Sequence, residues 1–411
     1  MDETLKKEFP AAAFKSGSKR MVYLDSACTA LKLRAAADAQ RDFLLDFGVC
    51  PGNRAVSRLS SEAEERVSRA REVIADFVGA DPEEIIFSFS ATDAANLLIN
   101  SYKFSPAKNE VLVSGLEHNC VLLPLYNLAR RGKIKLGIIP LKGFKPDLDA
   151  FKKMLNRRTA LVFVTRASNI FGGAVEDIKK FAAAAKKVRA DFASDESQFL
   201  PTHREDLARL GADFAFFSGH KLGAPFGTGI LYVKKSAYKK LENYKAGGGT
   251  ISAIGINKNA LRVAYLGNHQ GFEPGIQNYS GLLGLSRAIE FWKDYGFEKL
   301  RGQVSGLVKY AVKRLKRLEP VNITGEGLEN GGVVSFTLKN AKFQHQDFSI
   351  FLNENYRDKF IAVRAGRHCA DLACLFSGID YTVRLSFHAY NTARDVDDFV
   401  SALEDYLGSL E

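Results

Sequence analysis

Lys221 ends the segment Ser218-Gly219-His220-Lys221, which directly follows an apolar run of strand-like composition. A single lysine at such a place is most often an ordinary surface residue. Partial burial would instead favour its neutral amine, the form that condenses with a carbonyl compound to a Schiff base. The residues that share its surroundings must decide between these two interpretations.

Further polar side chains with chemical potential follow other apolar runs of the same kind. Asp195 and Gln198 follow one run, His118 follows another and Asn169 a third. These groups suit pyridoxal 5'-phosphate (PLP), whose ring is an electron sink only while a carboxylate keeps its pyridine nitrogen protonated. In this hypothesis Gln198 donates a hydrogen bond to the ring oxygen, His118 stacks on the ring, and Asn169 reaches the ring or the substrate.

A phosphate group would need hydrogen-bond donors near the same place, and residues 90–93 (SATD) offer them at the start of a predicted helix. Amides at a helix N-terminus, here including that of Ala91, can bind phosphate together with the hydroxyl of Thr92. Ser218 and His220 would supply further donors. Each residue alone has a commoner role, but strand ends that converge on one cofactor predict a PLP site.

The elements that must position these residues lie between about residues 84 and 234. Short apolar runs recur there, namely EIIFSFS, EVLVSG, ALVFVT, ADFAS and DFAFFS, and a helical pattern occupies Asp177 to Arg189. Strands that alternate with helices predict an α/β fold with a mainly parallel central sheet flanked by helices. Ligands of such sheets bind beyond the carboxyl ends of the strands, where the polar residues follow.

The last third of the chain has a different pattern. A helical stretch from Tyr279 to Leu318 with a break near Gly296 precedes the strand-like runs GGVVSFTL, FIAVRAG and TVRLSF and a helix from Asp395 to Leu407. This predicts a smaller α+β C-terminal domain. We expect a large PLP-binding domain over residues 22–280, with 1–21 and 281–411 forming the small domain and its linking helix.

The order EHN, SN, D-x-x-Q and SGHK resembles the class-V aminotransferase superfamily of fold-type-I PLP enzymes, with SUF-type cysteine desulfurases the nearest match. The likeness runs from Tyr23 to Thr392. It implies that Lys221 carries the cofactor and moves protons, while the other residues bind its ring or phosphate, namely Asp195, Gln198, His118, Asn169, Ala91, Thr92, Ser218 and His220.

The segment Arg364-Ala365-Gly366-Arg367-His368-Cys369-Ala370 resembles the R-x-G-H-H-C-A segment of that family. The resemblance implies that Cys369 attacks the substrate sulfur and becomes a persulfide. The basic residues around it would stabilise a thiolate. A buried structural cysteine is the alternative interpretation for Cys369.

The substrate-binding residues are also expected from the resemblance. Arg384 in RLSFHAYNT corresponds to an arginine that holds the substrate carboxylate, a task for which the two-pronged guanidinium is suited. A surface ion pair is the alternative for this residue. Arg364, Asn169 and Arg54 complete the predicted substrate set.

The sequence departs from the family pattern at several positions. Ala91 stands where a threonine is usual, Gly275-Ile276 replaces a Gly-Thr that contacts a dimer partner's phosphate, and Arg367 replaces a histidine. Around Arg54 both histidine positions have changed. We expect PLP binding to persist, with an altered phosphate affinity or substrate choice.

Composition narrows the class of protein. The 411 residues are 46% hydrophobic and 26% charged, typical of a globular protein. No apolar run reaches the roughly 20 residues needed to span a membrane. The N-terminus has no signal-like segment, so we expect a cytoplasmic enzyme. The net charge of +11 is spread along the chain, which makes a nucleic-acid partner unexpected and an acidic protein partner plausible.

The chain has five cysteines, an odd number that argues against a disulfide framework. Cys369 and Cys374 lack a second ligand pair for zinc, so no metal is predicted. We expect most of the cysteines to be small buried hydrophobic residues.

The sequence thus predicts a homodimeric cysteine desulfurase that converts L-cysteine to L-alanine and passes persulfide sulfur from Cys369 to an acceptor protein, for iron-sulfur cluster assembly or other uses. A selenocysteine lyase, an aminotransferase or an epimerase of the same fold is the first alternative. A catalytically idle scaffold that binds a sulfur-assembly partner is the second.

Overall fold

The computed structural model describes residues 3–51, 57–325, 327, 331–339 and 343–410. The strands are β1 (Lys15–Ser16), β2 (Lys19–Tyr23), β3 (Ile85–Ser88), β4 (Glu110–Ser114), β5 (Lys135–Ile139), β6 (Leu141–Lys142), β7 (Lys145–Pro146), β8 (Thr159–Thr165), β9 (Asp191–Asp195), β10 (Phe214–Ser218), β11 (Gly229–Val233), β12 (Ile251–Asn257), β13 (Ala260–Tyr265), β14 (Val321–Thr324), β15 (Val333–Leu338), β16 (Lys359–Ala362), β17 (Arg364–Gly366) and β18 (Thr382–Ser386).

The α-helices are α1 (Glu3–Lys7), α2 (Arg34–Asp46), α3 (Arg58–Phe77), α4 (Ala91–Ser101), α5 (Asn119–Arg130), α6 (Leu148–Met154), α7 (Ile178–Lys187), α8 (Leu207–Leu210), α9 (Tyr279–Tyr295), α10 (Phe297–Leu315), α11 (His345–Ile350), α12 (Asp371–Ser377) and α13 (Ala393–Gly408). Short 3-10 turns occupy Pro10–Ala13, Pro82–Glu84, Gly219–Leu222, Lys235–Lys240 and His269–Phe272, and a π-helical turn follows α11 at Phe351–Asn355.

The central sheet has seven strands in the order β3-β11-β10-β9-β8-β4-β5. Strand β11 is antiparallel to both β10 and β3, and the other pairs are parallel. Strand β3 therefore runs in the same direction as the remaining five, and their carboxyl ends meet at one edge. Every residue of β8, β9, β10 and β11 is buried. These apolar runs are what a parallel sheet covered on both faces requires.

Alternate side chains of the sheet face two separate cores, because successive residues of a strand point to opposite faces. In β8, Leu161 and Phe163 belong to the core shared with α4 and α5, whereas Val162 and Val164 belong to the core shared with α3, α7 and α9. The two helical layers therefore hold the sheet from both sides. The predicted α/β class with a mainly parallel sheet is confirmed.

The C-terminal region forms an antiparallel sheet of order β14-β15-β18-β17, which packs with α10 and α13. The predicted break in the long helical stretch is confirmed, since α9 and α10 meet at Gly296, whose φ of +92° favours glycine. The N-terminal strand β2 pairs in parallel with β16. The domain limits at residues 22 and 280 stay a prediction.

The hairpin of β12 and β13 has an almost fully exposed surface. Its exposed apolar side chains include Ile254, Ile256 and Leu261, which are 62%, 78% and 65% accessible. Among the described residues, no helix is both long enough and apolar enough to cross a membrane.

Candidate active site

A pocket of about 250 Å³ lies beyond the carboxyl ends of the central strands. We call one side the strand-end wall, which is formed by Ala91, Thr92, His118, Asn169, Asp195, Gln198, Ser218, His220 and Lys221. We call the other side the thiol wall, which is formed by Cys28, Arg364, His368, Cys369 and Arg384.

Lys221 is positioned by the abrupt end of β10. The strand stops at Ser218, a 3-10 turn carries the chain through Lys221, and Gly223 closes the turn with a φ of +84°. Burial lowers the pKa of Lys221, while the nearby carboxylate of Asp195 acts in the opposite direction. The net direction favours the neutral amine that a Schiff-base lysine requires.

Asp195 ends β9 beside that strand and is only 5% exposed. Its Oδ1 accepts a hydrogen bond of 2.9 Å from the amide of Ser197, which fixes the carboxylate. Gln198 lies one turn further on, and its Nε2 donates to the carbonyl oxygen of Ala27 at 2.8 Å. One of its two amide protons therefore remains available to a ligand.

His118 is the N-cap of α5, where its Nδ1 accepts a hydrogen bond of 3.0 Å from the amide of Cys120. This bond assigns the ring proton of the neutral imidazole to Nε2 and fixes the ring plane. Burial lowers the pKa of His118, and the charge of Lys221 lowers it further. A neutral, fixed imidazole suits stacking on an aromatic ring.

The predicted phosphate loop lies at the N-terminus of α4. The Oγ of Ser218 accepts a hydrogen bond of 2.7 Å from the amide of Ala91, so a phosphate would have to displace Ser218 to use that amide. Thr92 is exposed at the pocket edge. Gly229 of β11 allows this loop to approach, because a Cβ there would lie 2.4 Å from the backbone of Ser90.

His220 contributes a neutral donor to the same end of the pocket. Its Nδ1 lies 3.0 Å from the hydroxyl of Thr29. Burial, together with the charges of Lys221 and Lys32, lowers the pKa of His220 to about 3. The imidazole can therefore offer a hydrogen bond to a phosphate but not a positive charge.

Asp25 organises the two arginines of the thiol wall. Its Oδ1 accepts from Nη2 of Arg384 at 2.9 Å, and its Oδ2 accepts from Nη2 of Arg364 at 2.9 Å. Arg384 also donates to the carbonyl oxygen of Asn169 at 3.0 Å. Its Nε is buried and has no partner within the described part of the chain. One carboxylate thus holds two guanidinium groups beside the pocket and leaves one positive charge uncompensated.

The Cys369 segment has a backbone that only a few residue types adopt readily. His368 and Cys369 have φ values of +56° and +55°, in the left-handed region. Nδ2 of Asn169 donates to the carbonyl oxygen of His368 at 2.7 Å, and the amide of Asn119 donates to that of Cys369 at 2.9 Å. Surrounding hydrogen bonds therefore hold this uncommon conformation and leave Cys369 exposed.

Of the three basic residues expected to make the setting of Cys369 electropositive, His368 is not charged. Burial, with the charges of Arg384 and Arg364, lowers the pKa of His368 to about 3, so its imidazole is neutral. The guanidinium of Arg364 donates hydrogen bonds to Asp25 and Cys28.

The structure brings together every predicted site residue that it describes. Pocket-lining residues from the prediction are Lys221, Cys369, His118, Asp195, Gln198, Thr92, Ala91, Ser218, His220, Asn169, Arg384 and Arg364. Arg54 lies outside the described residues. The functional roles of these residues stay predictions.

Two positioning residues were missed by the sequence interpretation. Asp25, which holds Arg364 and Arg384, has no role in the sequence interpretation. Asn119 was read only as part of EHN, yet its Nδ2 also donates to Asp371 at 2.8 Å, beside Cys369. Neither partnership leaves a signal in local spacing, because the partners are hundreds of residues apart.

The expectation that most cysteines are buried is wrong. Only Cys120 and Cys374 are buried, while Cys28 is half-buried and Cys50 and Cys369 are exposed. Burial raises the pKa of both buried thiols, as for inert packing residues.

A sequence model of the family described as "Aminotransferase class-V" matches residues 22–399. The chain belongs to the class-V aminotransferase family. Members of this family are PLP enzymes, so the predicted family and cofactor are confirmed.

Three proteins similar to this chain, all described as cysteine desulfurases, are consistent with its membership of the class-V aminotransferase family. A probable cysteine desulfurase of Borreliella burgdorferi is 30% identical over 99% of this chain and 96% of its own length. A cysteine desulfurase of Yersinia pestis strain Pestoides F is 31% identical over 98% and 97%. The solved apo structure of a cysteine desulfurase from Thermococcus onnurineus NA1 has a TM-score of 0.88 at 28% identity and covers 100% of this chain and 98% of that one.

The residues that line the pocket fit PLP. Asp195 provides a fixed carboxylate for the pyridine nitrogen, and His118 provides a fixed neutral ring. Lys221 provides the amine that would hold the aldehyde carbon. Thr92 and His220 line the same pocket and offer donors for the phosphate.

Proposed function

We propose that this member of the class-V aminotransferase family is a PLP-dependent cysteine desulfurase. It would convert L-cysteine to L-alanine and retain the sulfur as a persulfide on Cys369. One observation carries the proposal. The exposed thiol of Cys369 opens into the same pocket as Lys221, Asp195 and His118. An aminotransferase or an epimerase needs no thiol at this place.

Lys221 supplies the proton transfers. When bound, PLP supplies an electron sink that stabilises negative charge on the Cα of the substrate. The neutral Nζ of Lys221, favoured by its burial, takes the proton from that Cα. The same nitrogen returns a proton when the carbon skeleton leaves as alanine.

Arg384 orients the substrate through its carboxylate. The guanidinium is 2% exposed, is held in place by Asp25 and the carbonyl of Asn169, and retains a free buried Nε–H. Its planar group matches the two oxygens of an α-carboxylate. This contact would direct the substrate side chain toward the thiol wall.

Cys369 receives the sulfur in a step that balances internally. The Cys369 thiolate attacks the substrate sulfur, and a new S–S bond forms while the Cβ–S bond of the substrate breaks. The electron pair of the broken bond stays on the substrate carbon, which takes up a proton. No external oxidant is needed.

A homodimer is part of the proposal. The exposed apolar side chains of the β12–β13 hairpin are supported by few other parts of the chain, and Ile276 nearby in sequence is 73% exposed. Exposed apolar surface of this kind typically marks a protein interface. A second copy of the same chain is the commonest partner of such surfaces.

The fate of the sulfur and the location of the enzyme are also proposals. The compact loop between Arg364 and Arg384 keeps Cys369 near the body of the protein, so an acceptor protein must come to it. The net charge of +11 suits an acidic acceptor. Iron-sulfur cluster assembly is the proposed destination, and the cytoplasm is the proposed location.

The Cys369→Ala variant tests the function. We expect it to retain the visible absorbance of bound PLP but to lose persulfide formation and alanine production from L-cysteine. The matched control is Cys50→Ala, which removes an exposed thiol that does not line the pocket and should behave like the wild type. Undiminished alanine production by Cys369→Ala would contradict the proposal and favour a different PLP reaction.

A further inference from the structure

Cys28 and Cys120 line the same pocket as Cys369. Burial raises the pKa of the Cys120 thiol, which leaves Cys28 as the accessible thiol that the proposed reaction does not use. Cys28 is half-buried, and its Sγ lies 2.8 Å from Nη2 of Arg364. The guanidinium of Arg364 thus donates a hydrogen bond to this sulfur. Cys369 is exposed, and no hydrogen bond to its sulfur is found in the part of the chain that the structure describes.

The charge around Cys28 favours an anionic occupant. Arg364 and Arg384 share the single carboxylate of Asp25, which leaves one positive charge uncompensated. The side chain of Arg384 is only 3% exposed, and its Nε lacks a partner among the described residues although the residue lines the pocket. The substrate carboxylate would occupy Arg384 while L-cysteine is bound, and after alanine leaves, this positive charge is again available to an anionic sulfur in the same pocket.

We propose that Cys28 takes over the outer sulfur of the Cys369 persulfide and stores it as a second persulfide. This inference rests on the proposed function, because it requires sulfur on Cys369. The Cys28 thiolate attacks the outer sulfur, a new S–S bond forms at Cys28, and the bond between that sulfur and Cys369 Sγ breaks. Cys369 leaves as a thiolate that can accept sulfur from the next substrate molecule. Atoms and electrons balance without an oxidant or a reductant.

Cys369 is exposed and Cys28 is half-buried, so transfer of the sulfur between them should change how fast a reductant in solution removes it. A persulfide on exposed Cys369 meets reductants from solution directly, whereas one on half-buried Cys28 is shielded and contacts Arg364. We therefore expect dithiothreitol to remove sulfur from Cys28 more slowly than from Cys369. The second site would protect the sulfur until an acceptor arrives.

The experiment is a time course of persulfide mapping on the wild-type holoenzyme. The protein is mixed with L-cysteine, stopped with an alkylating reagent, digested, and analysed by mass spectrometry for peptides with one additional sulfur. We expect the additional sulfur first on Cys369 and later on Cys28. Cys28→Ser should lose only the later signal, Cys369→Ser should lose both, and Cys50→Ser should match the wild type.

The outcomes separate this inference from the proposed function. Sulfur on Cys369 that never appears on Cys28 would overturn the inference alone. Sulfur on Cys28 in the Cys369→Ser variant would also overturn it, since the transfer needs Cys369. A wild-type enzyme without sulfur on Cys369 would overturn the proposed function and the inference with it. The wild-type map suffices for the first and third outcomes, so they do not depend on the folding of any variant.

Discussion

The strand-end wall is held by a buried parallel sheet, whereas the thiol wall combines two paired strands of the C-terminal sheet with segments far apart in the chain. Asp195 and Ser218 are the last residues of strands whose every side chain is buried. Arg364 and Arg384 lie opposite each other on β17 and β18, and both also contact Asp25, which lies more than 300 residues before them. The central sheet fixes the first wall, whereas the second depends on the C-terminal sheet together with polar contacts from distant segments.

This difference indicates that the two walls can fail separately. The strand-end wall would hold the cofactor, and every step of the reaction depends on it. The thiol wall would hold the substrate carboxylate and the sulfur, which matter only after the cofactor is in place. Variants of the first wall should therefore remove both cofactor and turnover, whereas variants of the second should leave the bound cofactor intact.

The largest effect is expected for Lys221→Ala in the strand-end wall. Loss of the amine removes both the covalent attachment and the proton carrier, so turnover should fall by at least about 1,000-fold, as for other essential catalytic groups. Visible absorbance after gel filtration and alanine release from L-cysteine measure the two losses. Lys234→Ala, at an exposed lysine just beyond β11, is the control. Cofactor that remains covalently attached in Lys221→Ala would refute the assignment.

A smaller effect is expected for Arg384→Lys in the thiol wall. Lysine keeps the charge but cannot contact both carboxylate oxygens, so KM for L-cysteine should rise by about 10- to 100-fold with little change in cofactor absorbance. Steady-state kinetics and a spectrum of the same sample measure both quantities. Arg209→Lys is the control, because Arg209 is exposed, pairs with Asp206 and does not line the pocket. An unchanged KM for Arg384→Lys would remove this residue from the substrate site.

The strand-end wall could be predicted from the sequence because it follows the sheet. Most of its polar residues follow within a few positions of a strand of buried side chains, and strands that run in one direction end at one edge. The local sequence pattern around Asp195 or His118 therefore predicts that its side chain lies at the carboxyl edge of the sheet. The same logic predicted the helix break at Gly296, where φ is +92°.

The thiol wall could not be predicted in this way. Its key residues were expected only from the likeness of two short segments to a family, and Asp25, Asn119 and Cys28 were assigned no function in the site. Their roles depend on long-range pairs, such as Arg364 with Cys28, that no periodicity encodes. The neutral state of His368 likewise follows from burial, which the sequence of the segment does not reveal.

A moderate effect on the thiol wall alone is expected for Asn119→Ala. The variant loses the hydrogen bond of 2.8 Å to Asp371, the first residue of α12, and should loosen the Cys369 segment. A hydrogen bond to a charged group contributes at least about 1.5 kcal/mol, so persulfide formation should slow by at least about tenfold. Rapid-quench persulfide mapping measures the rate, and the cofactor spectrum should not change. Asn127→Ala, at an exposed position of the same helix, should match the wild type.

Replacement of Glu196 is expected to have the smallest effect on turnover. This residue is fully buried next to Asp195 in the chain. Its Oε1 accepts from the hydroxyl of Ser194 at 2.6 Å, and its Oε2 has no partner among the described residues. Burial raises the pKa of Glu196 from its ordinary value of 4.5 to about 8. The buried carboxyl therefore stays neutral in the folded protein at a pH where the unfolded chain ionises it.

This raised pKa gives a defined pH dependence of stability. The contribution of the neutral Glu196 carboxyl is fully present below pH 4.5 and is lost as the pH rises to about 8, because only the unfolded state releases the proton in that interval. Glu196→Gln cannot ionise, so its free energy of unfolding relative to the wild type should rise across the same interval, by on the order of a few kcal/mol. Urea unfolding of the cofactor-free proteins at a series of pH values measures the difference, with the exposed Glu242→Gln as control. A difference between Glu196→Gln and the wild type that stays constant with pH would mean that Glu196 is already ionised in the folded protein, and that the strand-end wall rests on a buried charge.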